Sequence, residues 1–395
     1  METEPGSAAG TSWLARHPLI VIGVLLAACL GPFLNQAIQT DDTLFVWTAQ
    51  WIEKHPLDFF GFKVNWWSSA IPMWMANWNP PLWPYLLAGA GGLLGWNEIV
   101  LHSVGFVLAF VAAAGVYRLA WMWSEQPLLA TAIAILTPAF FILSTTLMCD
   151  VTMCACWIWT VVIWERASAN DESRWQFVGA GVVAGLAVLA KYSAITLLPL
   201  LAVFCLARRS NLAWKLAGLA VPVAMIAGYE WMTGRMYGHG LLSLASYYAR
   251  ADRFGFQGGW QAKGIIGLTF VGGSLLPLLF LAPWLWRFRT WTTSGLLLLG
   301  LLLGWFWLRG DPGLMHPWVD ADGYLMKLWD FRLQVLLLTL AGLHVLLLAV
   351  AEMWQRRDRI AFLLVCWIGG VVFFATVLNW TVNARSFLPA VPAAA

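Results

Sequence analysis

The chain has 395 residues, 61% of them hydrophobic and only 11% charged, with a mean hydropathy of +0.72. That balance excludes a soluble globular domain and fits a polytopic membrane protein. The net charge is +3 and the basic residues are scattered through short loops, which argues against nucleic acid as a partner.

The first apolar run, residues 17–38, reads as an uncleaved transmembrane helix. Leu26-Ala27-Ala28-Cys29 resembles a lipoprotein cleavage box, but the run continues through Leu30, Phe33 and Leu34 and many further spans follow. Asp41-Asp42 then opens a tryptophan-rich stretch, residues 39–98, expected to be the first extracytoplasmic loop. Leu44, Trp47, Trp51 and Ile52 fall on one face of a juxtamembrane helix, opposite Gln50, Glu53 and Lys54. The chain holds 28 tryptophans, and the cluster Trp66, Trp67, Trp74, Trp78 and Trp83 suits the headgroup region, where indole prefers to sit.

Ten more spans follow, near 99–119, 127–147, 150–165, 176–192, 193–208, 212–232, 264–286, 291–308, 331–351 and 360–378. The expected fold is an all-α polytopic membrane protein of about eleven to twelve transmembrane helices, forming a single domain over residues 1–395 without internal repeats. Arg118, Arg166, Arg174, Arg208, Arg209, Lys215, Arg287, Arg289, Arg356, Arg357 and Arg359 fall in alternate loops, which the positive-inside rule makes cytoplasmic. Asp41, Asp42, Asp150, Lys191 and the segments 234–263, 309–330 and 379–386 then face outward. Counting residues 80–97 as a crossing would invert every later loop, so that stretch reads as an interfacial helix. A last apolar segment runs only from Phe387 to Ala395, so the chain is expected either to be truncated there or to end at the interface.

The six cysteines nearly all fall within spans and read as small core residues; Cys154 and Cys156 point to different sides of one helix. His102 and His344 likewise read as core histidines. P-loop, Rossmann, His-Glu-x-x-His and Gly-x-Ser-x-Gly signatures are missing, which argues against nucleotide chemistry.

The polar residues that remain each have a bland and a chemical reading. Asp41 and Asp42 either cap the following helix or offer a carboxylate to chemistry, and two consecutive acids leave one free if the other caps. Asp150 is a turn or cap residue, or a ligand. Lys191 snorkels to lipid phosphates or awaits an anion, and Arg385 is an interfacial anchor or a phosphate fork. Arg235, His239, Arg250, Asp252 and Arg253 form a solvated mixed-charge loop or an anion or metal neighbourhood. Taken together on one face, carboxylates with Lys and Arg suit transfer from a lipid-phosphate donor: the acid deprotonates a hydroxyl, and the cations stabilise a departing phosphate.

These features resemble the glycosyltransferase C superfamily, in particular its family 39 group of protein O-mannosyltransferases and lipid A aminoarabinose transferases. The resemblance rests on Asp41-Asp42 after the first helix, on Asn79-Pro80-Pro81-Leu82, on Asp150, on the run Gly185 to Lys191 and on Arg385 to Pro389. It implies a glycosyltransferase C fold, Asp41 as base with Asp42 in support, and Lys191 and Arg385 at the donor phosphate, Asp150 and Tyr192 completing the substrate-binding set. It implies a polyprenyl-phosphate sugar donor, inversion at the anomeric carbon, and a lipid, glycan or protein acceptor, in a bacterial inner membrane with the site facing outside. No cofactor is certain. Some relatives carry an acid where Asn79 stands, so a divalent metal stays open, and Asp42 replaces the more usual Glu. The rival readings are a flippase for lipid-linked glycans, whose sites tend to lie at the bilayer midplane, and an oligosaccharide ligase.

Overall fold

The computed structural model describes residues 13–169, 174–207, 210–251, 260–285, 294–295, 298–300, 328–379 and 381–395. The expected spans emerge as helices in order: α1 Pro18–Leu30, α4 Glu98–Trp123, the pair α5 Pro127–Leu136 and α6 Pro138–Ser144, α7 Asp150–Ala169, α8 Trp175–Ala190, α9 Leu197–Ala207 and α10 Leu212–Tyr237. α12 Trp260–Ser274, α13 Pro277–Leu285, α14 Leu328–Arg356 and α15 Arg359–Phe373 complete them. The span expected at 291–308 and the loop 309–330 lie almost wholly outside the described residues. Among the described residues four helices are individually long and apolar enough to cross a membrane, or five if α5 and α6 count as one. The protein is an integral, multi-pass membrane protein.

In the first loop lie α2 Asp42–Lys54, α3 Leu82–Leu94 and a two-stranded antiparallel hairpin, β1 Lys63–Asn65 with β2 Ala70–Pro72, the one departure from an all-α chain among the described residues. A thirteen-residue helix is about 20 Å long, short of the ~30 Å hydrocarbon layer. α3 instead packs on α2, burying Trp83, Leu87 and Ala88 in a small core at one end of the molecule. α2 is rolled relative to the expected face: Leu44, Phe45, Thr48, Ala49 and Ile52 are buried while Trp47 is exposed. The reason is that two sides of the helix are covered, one by α3 and one by residues 55–64, where the Trp51 indole donates to the Asp58 carbonyl at 2.5 Å.

The main core joins α1, α4, α7, α8, α9, α12 and α15. Small residues set its closest crossings: a Cβ on Gly181 would strike the Gly218 carbonyl between α8 and α10, and one on Gly342 would strike the Leu268 carbonyl between α14 and α12. α5 and α6 meet at 64°, because Pro138 supplies no N–H and holds Thr137 extended. The Thr137 hydroxyl accepts from the Phe140 N–H and restarts the helix. The final apolar segment packs inward: Phe387, Leu388, Ala390 and Val391 are buried in the main core, and the Trp367 indole donates to the Pro389 carbonyl at 2.7 Å. Far along α7, Glu165 pairs with Arg359 of α15 at 2.6 Å.

Candidate functional site

Asp41 and Asp42 sit at the start of α2, but neither makes the cap hydrogen bond. Asp41 turns outward, and its carboxylate meets the Arg385 guanidinium at 3.2 Å with both side chains partly exposed. Arg385 lies in a 3-10 turn, Ala384–Ala390, whose start is tied down by polar side chains. Asn383 accepts from the Ser386 N–H at 3.1 Å and from its hydroxyl at 2.9 Å, while the Asn379 amide donates to the Ser386 oxygen at 2.8 Å.

Asp42 turns inward and is only 1% exposed, and neither oxygen completes a hydrogen bond among the described residues. Burial pushes its carboxyl pKa above the ordinary value, and the Asp41 charge adds to this; the nearby backbone of Leu147 and Gln39 and the Arg385 charge offset it in part. The Leu147 carbonyl in turn accepts from the Trp83 indole at 2.6 Å, so the proline-pair helix α3 and the loop before Asp150 brace the acidic pair together. His102 contributes from α4, its ring 3.1 Å from the Gln36 carbonyl on the approach to Asp41.

Asp150 is the first residue of α7 and fully buried, and the Lys191 ammonium donates to it at 2.6 Å. Lys191 leaves α8 in an extended conformation and retains 19% exposure, so its remaining N–H donors face a partly open surface. Tyr192 follows, its hydroxyl donating to that of Tyr229 at 3.2 Å. Cys149 feels the charges of Asp150, Lys191 and Arg385 together, which puts both ion pairs at one end of the molecule.

A groove of about 870 Å³ opens beside Asp41, Asp42 and Arg385. Its walls are apolar, with Ile38, Ile142 and Leu143 on one side and Phe270 and Leu338 of α12 and α14 on the other, and the bend at Pro138 shapes its floor. Asp150, Lys191 and Tyr192 do not line it, although Met148 does. The expected site is therefore divided between an open groove and an adjacent buried pair. The walls from α12 and α14 escaped the sequence reading, since an apolar residue facing a groove has the same local pattern as one facing lipid. Of the loop group, Arg235 lies over Trp231 and His239 beside Trp74, and neither lines the groove, while the Arg250 side chain, Asp252 and Arg253 fall outside what is described. Among the described residues no three His, Cys, Asp or Glu side chains gather, so the acidic pair alone does not build a metal cage.

A family model described as dolichyl-phosphate-mannose-protein mannosyltransferase matches residues 78–230, which include Asp150 and Lys191. No curated protein matches the sequence. Among solved structures, the apo oligosaccharyltransferase of Archaeoglobus fulgidus superposes with a TM-score of 0.55 at 14% identity, over 97% of this chain and 50% of that one. The likeness shows that this chain has a glycosyltransferase C-type fold. The same archaeal enzyme in complex with an inhibitory peptide and a dolichol-phosphate gives 0.53 at 13% identity, over 97% and 50%. ArnT from Cupriavidus metallidurans bound to undecaprenyl phosphate gives 0.45 at 14%, over 97% and 76%. The chain thus spans about half the length of the archaeal oligosaccharyltransferase structures it matches.

Proposed function

We propose that the protein is a membrane glycosyltransferase that moves a sugar from a polyprenyl-phosphate donor to an acceptor hydroxyl, with inversion, on the outer face of a bacterial inner membrane. The observation that carries this reading is the groove, apolar along its walls and charged at one end by Asp41 and Arg385. A polyprenyl chain matches the walls, and its phosphate matches the guanidinium. Asp41, 3.2 Å from Arg385, accepts the proton of the incoming hydroxyl as that oxygen attacks the anomeric carbon. The bond from that carbon to the phosphate oxygen breaks, and the electron pair leaves with the phosphate, where Arg385 and Lys191 stabilise the charge. Lys191 can serve this role because only one of its three donors is committed to Asp150. The acceptor is a lipid, glycan or protein hydroxyl. The outward orientation is supported by the basic loops, which alternate with the loops that carry the site.

The test is reconstitution of the full chain in liposomes with polyprenyl-phosphate sugars and an extract of candidate acceptors. Wild type should release free polyprenyl phosphate and Asp41→Asn should not. Movement of the donor across the bilayer without release would replace the transferase reading with a flippase.

A further inference from the structure

A second, much smaller cleft is walled by Phe60, Trp74 and Trp78 and closed by α11, Leu241–Ala251. Asn77, Asn79 and Tyr192 supply its polar atoms. Asn77 is 3% exposed, and its amide nitrogen has no hydrogen-bond partner among the described residues. The orientation of that amide is decided by its other end. The Asn77 Oδ1 accepts the Asn79 backbone N–H at 3.1 Å, so the oxygen must point there and the free group is the N–H donor. A buried donor left unsatisfied is unfavourable unless something fills its place. The cleft offers about 10 Å³ to the centre of a water-sized group, room for a single water or hydroxyl.

Resting on the transferase reading above, we propose that this cleft is the sugar-recognition subsite of the donor, in which the Asn77 amide N–H donates to one sugar hydroxyl. The lining holds amides, a phenol and aromatic faces but no charged side chain, which suits a neutral polyol rather than an anion. Trp78 is held by its indole donating to the Met75 carbonyl and by packing against Tyr248 at 4.4 Å, so the wall of the cleft beside the Asn77 amide is fixed. Tyr192 connects the cleft to the phosphate end, being the residue after Lys191. Only one hydroxyl of a sugar ester whose phosphate is held at Lys191 need enter the cleft.

Neryl phosphate and its mannosyl and arabinosyl esters serve as short-chain probes, with binding to the purified full chain read by calorimetry. Wild type should bind one glycosyl ester at least about tenfold more tightly than neryl phosphate, a ratio worth about 1.4 kcal/mol. Asn77→Asp keeps the oxygen that receives the Asn79 N–H but removes the free donor, and Asn77→Ala removes both. Each should bind the glycosyl ester and neryl phosphate alike, with affinity for neryl phosphate unchanged. If both variants keep the sugar-dependent increment, the cleft holds only a water and the inference falls. An equal loss for both probes makes Asn77 a structural residue and overturns it too. Should wild type bind neryl phosphate but show no increment, the subsite is wrong while the phosphate site stands. Binding of none of the probes would remove the donor reading and this subsite together.

Discussion

Two acid–cation pairs lie at the same end of the molecule and differ in almost every physical respect. Asp150 and Lys191 meet at 2.6 Å with the carboxylate fully buried, whereas Asp41 and Arg385 meet at 3.2 Å with 56% and 38% of their side chains exposed. Away from water the first pair interacts strongly, and loss of either partner strands the other. The second pair is screened and worth little to stability. A weak, accessible pair can exchange partners during a reaction and a buried one cannot. Turnover is therefore expected to depend on Asp41 and Arg385 as exchangeable groups, whereas Asp150 fixes Lys191 in place so that its remaining donors meet the phosphate.

The sharpest test of that contrast is Asp41→Asn, expected to reduce sugar transfer by about 10²–10⁴-fold with an unchanged melting temperature in detergent. A comparable loss of stability would break the comparison. Lys191→Met should do the opposite in kind, leaving a buried carboxylate uncompensated and destabilising the fold by about 3–5 kcal/mol, with most of that recovered in Lys191→Met/Asp150→Leu. Failure of the double variant to recover thermal stability would show that the pair is not the unit we take it to be.

Asp42 gives a pH-dependent test. Its folded-state pKa is raised, chiefly by burial, so its contribution to stability is fully present below the unfolded-state value and is lost as pH rises through the folded-state value. Asp42→Asn should therefore raise the melting temperature at neutral pH, with the gain shrinking as pH falls toward 4, near the ordinary carboxylate value. A gain independent of pH would mean that Asp42 titrates alike in the folded and unfolded protein, which would remove the effect of its burial. The smallest expected effect is the coupling between Asp41 and Arg385 in a double-mutant stability cycle, below about 1 kcal/mol and weaker in high salt. Coupling of several kcal/mol would make the two pairs alike.

Much of the helical order was legible because a transmembrane span is a long apolar run whose backbone must satisfy its own hydrogen bonds. The spans 99–119, 212–232 and 331–351 fall within α4, α10 and α14 for that reason. The roll of α2 was not legible, since Trp47 and Leu44 are equally apolar and only the neighbouring segments decide which is covered. The span expected at 127–147 as one crossing is broken at Pro138, a signal present in the sequence, but its 64° angle depends on what packs on either side.

The site divides along the same line. Sequence alone determined that Asp41, Asp42, Asp150, Lys191 and Arg385 stand at the ends of apolar runs, because charge is expelled from the apolar layer, and the alternation of basic loops led to the expectation that those ends share one face. Only tertiary structure decided that Asp41 pairs with Arg385, 344 residues away, that Asp42 is buried and Asp150 joined to Lys191, and that the Asn77 amide keeps a free donor. Pairing and burial are properties of what lies beside a side chain in space, and in this chain those neighbours come from helices far apart in sequence.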